Sequence, residues 1–337
     1  MQREVIELNE NIDDREVELA VAPEDGVFPE DFYVTTNLKT FVYYEQQWLK
    51  VDRAEMDCGI VIKGEKAYCV PMNDIKAGDK VVVGSKGVKE KSIKNKKREE
   101  KEFTFMSSEI SCENSKAKLI ANLAAEMKEI KKAGGEITVV GGPAIIHTGS
   151  AKYLSTLIDK GYVNLLLAGN ALAVHDIETA IFGTSLDIPL VEERVKEKGH
   201  GFHLKAINKV RRAGSIKKAV KKGIIDKGIM YSAVKNEIDY LLAGSIRDDG
   251  PLPDVITDTV RAQEMMREKL RDTDLVLMLA TMLHSIATGN LLAADIKSVC
   301  VDINSDTVTK LADRGTAQAQ GIVTDVELFL SSLVNQL

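Results

Sequence analysis

Residues 137–150, with the sequence ITVVGGPAIIHTGS, decide the fold, and a helical pattern over Ala151–Lys160 follows them. The β-branched run predicts a strand, and the glycines at its end predict a tight turn into a helix. Such a turn leaves backbone N–H groups free at a helix N-terminus, where a phosphate is favoured. The stretch contains neither Gly-x-Gly-x-x-Gly nor a P-loop motif, so an ordinary strand-to-helix turn is the alternative.

Beyond residue 105 the pattern alternates between strands and helices. The predicted strands are Ile137–Val140, Val163–Ala168, Leu275–Leu279 and Ser298–Ile303. The predicted helices are Lys116–Lys132, Ala151–Lys160, segments within Glu192–Lys222, Asp254–Leu270, part of Thr281–Ala294, and two that begin at Asp306 and Asp325. This alternation predicts an α/β fold in which a parallel sheet carries helices on both faces.

The first hundred residues contain short β-branched or aromatic runs separated by turn residues. These runs are Phe32–Thr36, Thr40–Tyr44, Gly59–Ile62, Ala67–Val70 and Lys80–Gly84. They predict a small antiparallel sheet or barrel. We therefore divide the chain into a small β-rich domain, residues 1–103, and an α/β dinucleotide-binding domain, residues 104–337.

Composition excludes several classes of protein. The 337 residues are 44% hydrophobic and 28% charged, with a net charge of −6, so the overall charge does not favour nucleic acid. The longest largely apolar stretch, Leu275–Leu283, is too short to span a bilayer, and the charged N-terminus predicts no signal peptide. The four cysteines are scattered, which favours reduced thiols. We predict a cytoplasmic protein that binds neither membrane nor nucleic acid.

Two basic tracts are interpreted as solvated surface. Lys86–Glu102 has a net charge of +4 and Lys196–Lys222 a net charge of +9. Neither tract has the interleaved aromatic residues that nucleic-acid binding favours. The second tract could instead form a positive wall that attracts an anionic cofactor or substrate.

The predicted strand ends carry the candidate cofactor-binding residues, because dinucleotides bind parallel sheets where the strands end. Asp302 could bind ribose hydroxyls or serve as a turn carboxylate, and Asn304 could cap the following helix. The full set of cofactor candidates is Gly141, Gly142, Pro143, Ala144, Gly169, Asn170, Ala171, Asp302 and Asn304. A carboxylate at residue 302 favours NAD over NADP.

A metal site is not predicted. The pair His175-Asp176 is typical of some metal-dependent phosphohydrolases, and His200 and His203 could join it in a zinc site. A catalytic metal needs a full set of ligands whose spacing lets them converge on one ion, and no such set accompanies these residues.

Longer motifs point to one family. They are residues 22–29 (APEDGVFP), 32–37 (FYVTTN), 55–58 (EMDC), 141–144 (GGPA), 169–171 (GNA), 175–178 (HDIE), 243–254 (AGSIRDDGPLPD), 301–304 (VDIN), 312–315 (ADRG) and 321–325 (GIVTD). With these motifs the chain resembles the archaeal-type ornithine cyclodeaminase family over essentially its whole length. That family is also described as the conserved region of a lysine-oxoglutarate reductase/saccharopine dehydrogenase (LOR/SDH) bifunctional enzyme.

The resemblance implies an NAD-dependent enzyme that converts L-ornithine to L-proline and ammonia. It also implies a nucleotide domain of the deoxyhypusine synthase type, which is Rossmann-like without the usual glycine motif. Related chains form the C-terminal part of arginine-catabolising bifunctional enzymes. Some relatives have a further small N-terminal domain, for which there is no room before Ala22, so we expect a short member or a trimmed chain.

Ornithine chemistry assigns candidate roles to individual residues. The substrate carboxylate needs a cation, for which Arg247 is the first candidate and Lys39 the second. The ammonium groups need carboxylates, which Asp248, Asp249 and Asp254 supply in one loop. The catalytic candidates are Asp254 as general base, Cys58 and Lys39, and Asn37 is a substrate-binding candidate with Arg247, Asp248 and Asp249. A turn followed by a helix N-cap at Asp254 explains the acidic loop equally well.

Two other functions remain open. An NAD(P)-dependent amino-acid or opine dehydrogenase of the saccharopine type would need the same residues, but it would accumulate NADH. A non-catalytic nucleotide sensor would use the small domain to bind a partner. We also predict a homo-oligomer; the apolar stretch Leu275–Ala294 either contributes to its interface or forms buried core.

Overall fold

The structure, a computed structural model, describes residues 15–91, 109–185, 188–189, 201–248, 250–313 and 319–337, and within these it leaves out the side chains of residues 109–115, 185, 188–189, 312–313 and 319. The chain forms two compact units. The first comprises Met1–Asn95 with Leu292–Ala294, and the second comprises Lys96–Leu291 with Asp295–Leu337. The domain boundary predicted at residue 103 falls between the described residues 91 and 109.

The first unit is built on a seven-stranded sheet with the order β1-β6-β4-β5-β3-β2-β7. Its strands are β1 (Glu18–Val21), β2 (Lys39–Tyr44), β3 (Gln47–Asp52), β4 (Gly59–Lys63), β5 (Lys66–Val70), β6 (Lys80–Val83) and β7 (Val88–Lys91), with a 3₁₀ turn at Met72–Asp74. All pairs are antiparallel except β3 with β5. The prediction of a β-rich N-terminal region is confirmed.

Apolar residues cover both faces of this sheet. Ile60 and Ile62 on β4 pack with Val42 and Val82 in one cluster, whereas Val61 packs in a second cluster on the opposite face. This alternation follows from the two-residue period of a strand.

The prediction of a strand at Phe32–Thr36 is wrong. Phe32 forms only an isolated bridge with Val83, and Thr35 makes single backbone hydrogen bonds with Cys58 and Asp57. The β-branched composition produces an extended segment here, but this segment does not join the ladder of the sheet.

The second unit has a seven-stranded, fully parallel sheet with the order β13-β12-β9-β8-β14-β15-β16. Its strands are β8 (Glu136–Gly141), β9 (Leu165–Gly169), β12 (Asp239–Ala243), β13 (Val255–Ile256), β14 (Thr273–Leu279), β15 (Lys297–Asp302) and β16 (Ala319–Val323), and a two-residue pair is formed by β10 (Thr184–Ser185) and β11 (Ile188–Pro189). The strands predicted at residues 137, 163, 275 and 298 correspond to β8, β9, β14 and β15.

Helices cover both faces of the parallel sheet, as predicted. They are α1 (Glu109–Lys132), α2 (Ala144–His147), α3 (Ala151–Asp159), α4 (Asn170–Phe182), α5 (Phe202–Ala213), α6 (Ile216–Lys221), α7 (Ile229–Lys235), α8 (Thr259–Lys269), α9 (Leu283–Leu291), α10 (Ser305–Asp313) and α11 (Val326–Gln336). On β8, Ile137 and Val139 join the cluster with α1, α3 and α11, whereas Thr138 and Val140 are buried outside it. Helix α9 contacts β8 and β9 but contributes no residue to that cluster, so it belongs to the other helix layer.

Two local predictions change. The helix predicted from Asp254 begins at Thr259, because Val255–Ile256 pairs with β12 and the Asp258 side chain caps the helix.

The basic residues of α5 and α6 that the structure describes are exposed, while Phe202, Ile207 and Val210 face the core, so these helices are amphipathic with a polar basic face. In the described part of the chain, no helix is long and apolar enough to cross a membrane.

Candidate functional site

The carboxyl edge of the parallel sheet, where its strands end, holds most of the predicted site residues of the second unit. At the end of β8, the Gly142 N–H donates to the Leu279 carbonyl over 2.9 Å. A β-carbon on Gly142 would lie 1.9 Å from the carbonyl oxygen of Ala280. Glycine is therefore required here because the backbones after β8 and β14 approach closely. Pro143 and Ala144 then lead directly into α2.

The N-terminus of α4 is the second feature of this edge. The helix begins at Asn170 directly after β9, and Gly169 in the N-cap position supplies no side-chain hydrogen bond. By contrast, Asp258 caps α8 and Asp325 caps α11. This N-terminus of α4, open in the sense that it has no side-chain cap, presents its first N–H groups and the positive end of the helix dipole, which favour an anion. Ala171, in its first turn, shares this environment.

Asn170 connects this helix to the acidic loop, residues 243–254. Its side-chain oxygen accepts a hydrogen bond from the Leu252 N–H over 3.1 Å, and Asn170 itself is buried. The Arg211 side chain on α5 donates twice to the Pro251 carbonyl, over 3.0 and 2.7 Å. The end of the acidic loop is therefore held between α4 and α5.

The acidic residues of this loop are engaged in local structure. Asp248 accepts a hydrogen bond from the Ser245 N–H over 2.8 Å. Asp254 accepts from the Ile216 N–H at the start of α6 over 2.8 Å and from the Tyr240 hydroxyl over 3.0 Å. Burial, together with the nearby Asp254 carboxylate, raises the pKa of the Tyr240 hydroxyl. The predicted cap at Asp254 thus exists, but it serves α6 and not the helix that follows.

Two further residues of the loop were predicted to contact substrate. The Arg247 side chain is exposed, so its guanidinium is open to an incoming carboxylate. Asp249 lies outside the described residues. Both assignments stay predictions.

Asp302 and Asn304 form the turn after β15. Asp302 accepts a hydrogen bond from the Asn304 N–H over 2.8 Å, and Asn304 in turn accepts from the Asp306 N–H over 2.9 Å. Asn304 thus caps α10, as its residue type predicts. Within the described ranges, the other carboxylate oxygen of Asp302 accepts no hydrogen bond.

His284, a residue that was not predicted, lies at the same edge. A β-carbon built on Gly169 would lie 2.6 Å from its Cε1 atom and 3.5 Å from its Nε2 atom. Burial lowers the pKa of His284, and the Asp248 carboxylate acts in the opposite direction. One sequence signal could have revealed it, because the apolar run that starts with β14 stops at His284, just beyond a strand end.

Among the predicted site residues of the first unit, Asn37 lies beside the Leu292–Ala294 segment. Asn37 is 2% exposed, its carbonyl accepts from the Ala294 N–H, and its amide nitrogen has no acceptor among the described residues. Cys58 is buried, with its N–H donating to the Thr35 hydroxyl over 3.1 Å. A hydrogen bond with the Cys58 thiol is the main cause that lowers the pKa of Cys69. Lys39 begins β2 and is half-buried.

The His175-Asp176 pair has a structural explanation. Asp176 accepts from the Ile229 and Met230 N–H groups, over 2.9 and 2.7 Å, at the start of α7. His175 lies 3.2 Å from a carboxylate oxygen of Glu178. Within the described ranges, no three His, Cys, Asp or Glu side chains form a group that could hold a metal ion; His200 falls outside these ranges.

Comparison with known proteins matches almost the whole chain. The family model described as arginine dihydrolase ArgZ-like, C-terminal, Rossmann fold matches residues 121–333, and that for the C-terminal first region matches residues 39–120. The ornithine cyclodeaminase of Methanothermobacter thermautotrophicus is 51% identical over 325 residues, which cover 96% of this chain and 79% of that protein. The chain belongs to the archaeal-type ornithine cyclodeaminase family.

Solved structures of relatives agree with this family assignment. The crystal structure of a LOR/SDH protein from Methanococcus maripaludis has a TM-score of 0.88 and 46% identity, covering 96% of this chain and 98% of that one. A structure of AgrE in a ternary complex with ornithine and NAD⁺ has a TM-score of 0.63 and 44% identity, covering 98% of this chain and 47% of that chain. AgrE of Nostoc is named a bifunctional arginine dihydrolase/ornithine cyclodeaminase. The predicted membership of the ornithine cyclodeaminase family and its Rossmann-type domain are confirmed.

Proposed function

We propose that this protein is an NAD-dependent ornithine cyclodeaminase that converts L-ornithine to L-proline and ammonia. One observation carries the proposal: 98% of the chain aligns, at 44% identity, with a relative whose structure contains both ornithine and NAD⁺. The parallel sheet with an open helix N-terminus at its carboxyl edge supports the cofactor assignment. We further propose that the enzyme acts in the cytoplasm as a homo-oligomer.

The residues of the carboxyl edge fit a dinucleotide. The open N-terminus of α4, at Gly169, Asn170 and Ala171, would hold the pyrophosphate. The free carboxylate oxygen of Asp302 would accept a ribose hydroxyl, which favours NAD because a 2′-phosphate would be repelled. Gly141, Gly142, Pro143 and Ala144 would shape the turn beside the cofactor. Bound NAD would accept a hydride from the substrate α-carbon and later return it.

The substrate would be held by charge. The exposed guanidinium of Arg247 would bind the carboxylate, and Asp248 and Asp249 would attract the ammonium groups. Asn37, Lys39 and Cys58 are proposed as contributions of the first unit. The unpartnered amide nitrogen of Asn37 supports this proposal, since a buried donor without an acceptor is costly unless a ligand supplies one.

The test is incubation of the purified protein with L-ornithine and a catalytic amount of NAD, followed by parallel assays of proline, ammonia and NADH. We expect equal amounts of proline and ammonia without net NADH, and little activity with NADP. Accumulation of NADH with product would replace the proposal with an amino-acid dehydrogenase. Thermal stabilisation by NAD without any turnover would replace it with a nucleotide sensor.

Asp254→Asn distinguishes a catalytic from a structural role of the acidic loop. If Asp254 is the general base, we expect kcat to fall by at least about 100-fold, because an amide cannot accept the proton. The matched control is Tyr240→Phe, which removes the 3.0 Å hydrogen bond to Asp254 but keeps its carboxylate. Equal kcat in the two variants, with equal loss of thermal stability, would leave Asp254 as the cap of α6 only.

A further inference from the structure

We propose that His284 is a proton-transfer group of this active site, which takes a proton from the substrate α-ammonium and later gives one to the departing ammonia. The inference rests on the proposed cyclodeaminase function. None of the motifs that identify the family includes His284, and its assignment comes from its position.

His284 lies where three strand ends meet. It is on the first turn of α9, directly after β14. Its ring covers Gly169 at the end of β9, where an alanine β-carbon would approach Cε1, Nε2 and Nδ1 to 2.6, 3.5 and 3.6 Å. Asp248, in the loop after β12, acts on it electrostatically. The imidazole therefore stands between the proposed pyrophosphate site at α4 and the loop proposed to hold the ammonium groups.

The surroundings keep this imidazole in its neutral form. Burial lowers the pKa of His284, and among the described residues the Asp248 carboxylate acts in the opposite direction. Asn170 and Ala171 on α4 and Gly141 and Gly142 after β8 carry no charge. A neutral imidazole has a lone pair that can accept a proton, and the imidazolium so formed can return that proton, so His284 can fill both roles.

The reaction requires both transfers. Ornithine arrives with an α-ammonium, and its α-carbon cannot release a hydride until that nitrogen has a lone pair. His284 breaks this N–H bond and forms one on its own ring. Asp254, the proposed general base, takes a proton from the δ-ammonium. Once the hydride has left the α-carbon, the δ-nitrogen attacks that carbon, and the electron pair of its C=N π-bond moves onto the α-nitrogen. The ring nitrogen then loses its extra proton to water. When the imidazolium returns its proton to the α-nitrogen, the C–N bond breaks with its electron pair on ammonia, the lone pair of the ring nitrogen forms the C=N bond that later receives the hydride, and His284 is neutral again.

The experiment compares His284→Gln with wild type in three measurements: kcat as a function of pH, the Kd for NAD, and the His284 imidazole NMR titration in cofactor-free protein. We expect kcat to fall by about 10²–10⁴-fold, the usual contribution of general acid–base catalysis. The Kd for NAD should change by less than about threefold if the group moves protons. The His284 imidazole signal is identified as the one that is absent from the spectrum of His284→Gln. In wild type this signal should titrate below the usual histidine pKa of about 6.5.

His203→Gln, a histidine variant on α5, is the control and should keep kcat near the wild-type value. The assignment would be overturned if His284→Gln kept kcat within tenfold of the wild-type value. It would also be overturned if the substitution weakened NAD binding and left kcat unchanged. Both results leave the cyclodeaminase intact, because wild type still forms proline. A wild-type protein that forms no proline would instead remove the proposed function, and this inference with it.

Discussion

Gly142→Ala is expected to destabilise the second unit by about 3 kcal/mol and to weaken its stabilisation by NAD. The added β-carbon would lie 1.9 Å from the Ala280 carbonyl oxygen and 2.9 Å from the Thr281 β-carbon. Overpacking usually costs about 1–3 kcal/mol, and the upper end applies because backbone, unlike a side-chain end, cannot rotate away. Thermal unfolding should show a midpoint about 10 °C lower.

Gly149→Ala is the matched control in the same connection. Gly149 has a φ of +78° and no atom within 4 Å of its β-carbon position. Alanine there should cost only about 1–2 kcal/mol, from the left-handed backbone alone. Equal destabilisation by the two substitutions would show that the approach of Gly142 to Ala280 is not what requires glycine.

Asp176→Asn should gain stability relative to wild type as the pH rises. Asp176 is 2% exposed, and burial raises its pKa to about 6, although two backbone N–H bonds act in the opposite direction. The folded state therefore binds this proton more tightly than the unfolded state, in which the pKa is near 3.9. Between about pH 4 and pH 6 the free energy of unfolding of wild type should fall by about 3 kcal/mol from this group.

Asparagine has the shape of the protonated acid, but its amide nitrogen cannot accept a hydrogen bond, so one of the two N–H bonds is lost at every pH. Relative to wild type, the variant should therefore gain about 3 kcal/mol of stability between pH 4 and pH 7.5. Urea unfolding followed by far-UV circular dichroism measures this difference. Asp226→Asn, at an exposed carboxylate just before α7, should keep the wild-type pH dependence. A difference in stability that does not change with pH would mean that Asp176 titrates alike in the folded and unfolded states.

The parallel sheet could be predicted from sequence because its central strands are apolar runs of strand length. Helix α4 could not be predicted, because residues 172–178 are buried on every face of the helix and show no amphipathic period. The edge strand β16 was missed as well, since its sequence AQGIV has little β-branched character. The hydrophobic periodicity of a sequence identifies a helix or strand only when one of its faces is buried and the other is exposed to solvent.

The candidate site was readable only in part, because strand ends can be located from sequence but long-range partners cannot. Asn304 caps the adjacent helix, as its residue type predicts. Asp254 instead caps α6, 38 residues earlier in the chain. His284 became a candidate only when folding placed it over Gly169. Local capping follows from neighbouring residues, whereas these other contacts depend on tertiary structure.

The first unit includes Leu292–Ala294, so two separate stretches of the gene encode it. A gene fragment that ends at residue 103 would omit Ala294, whose N–H bonds the Asn37 carbonyl over 2.8 Å. A protease nick after residue 95 would likewise leave part of the first unit on the larger fragment. The two halves are therefore expected to behave as complementary fragments, and deletion or shuffling of either half alone should yield an incomplete protein.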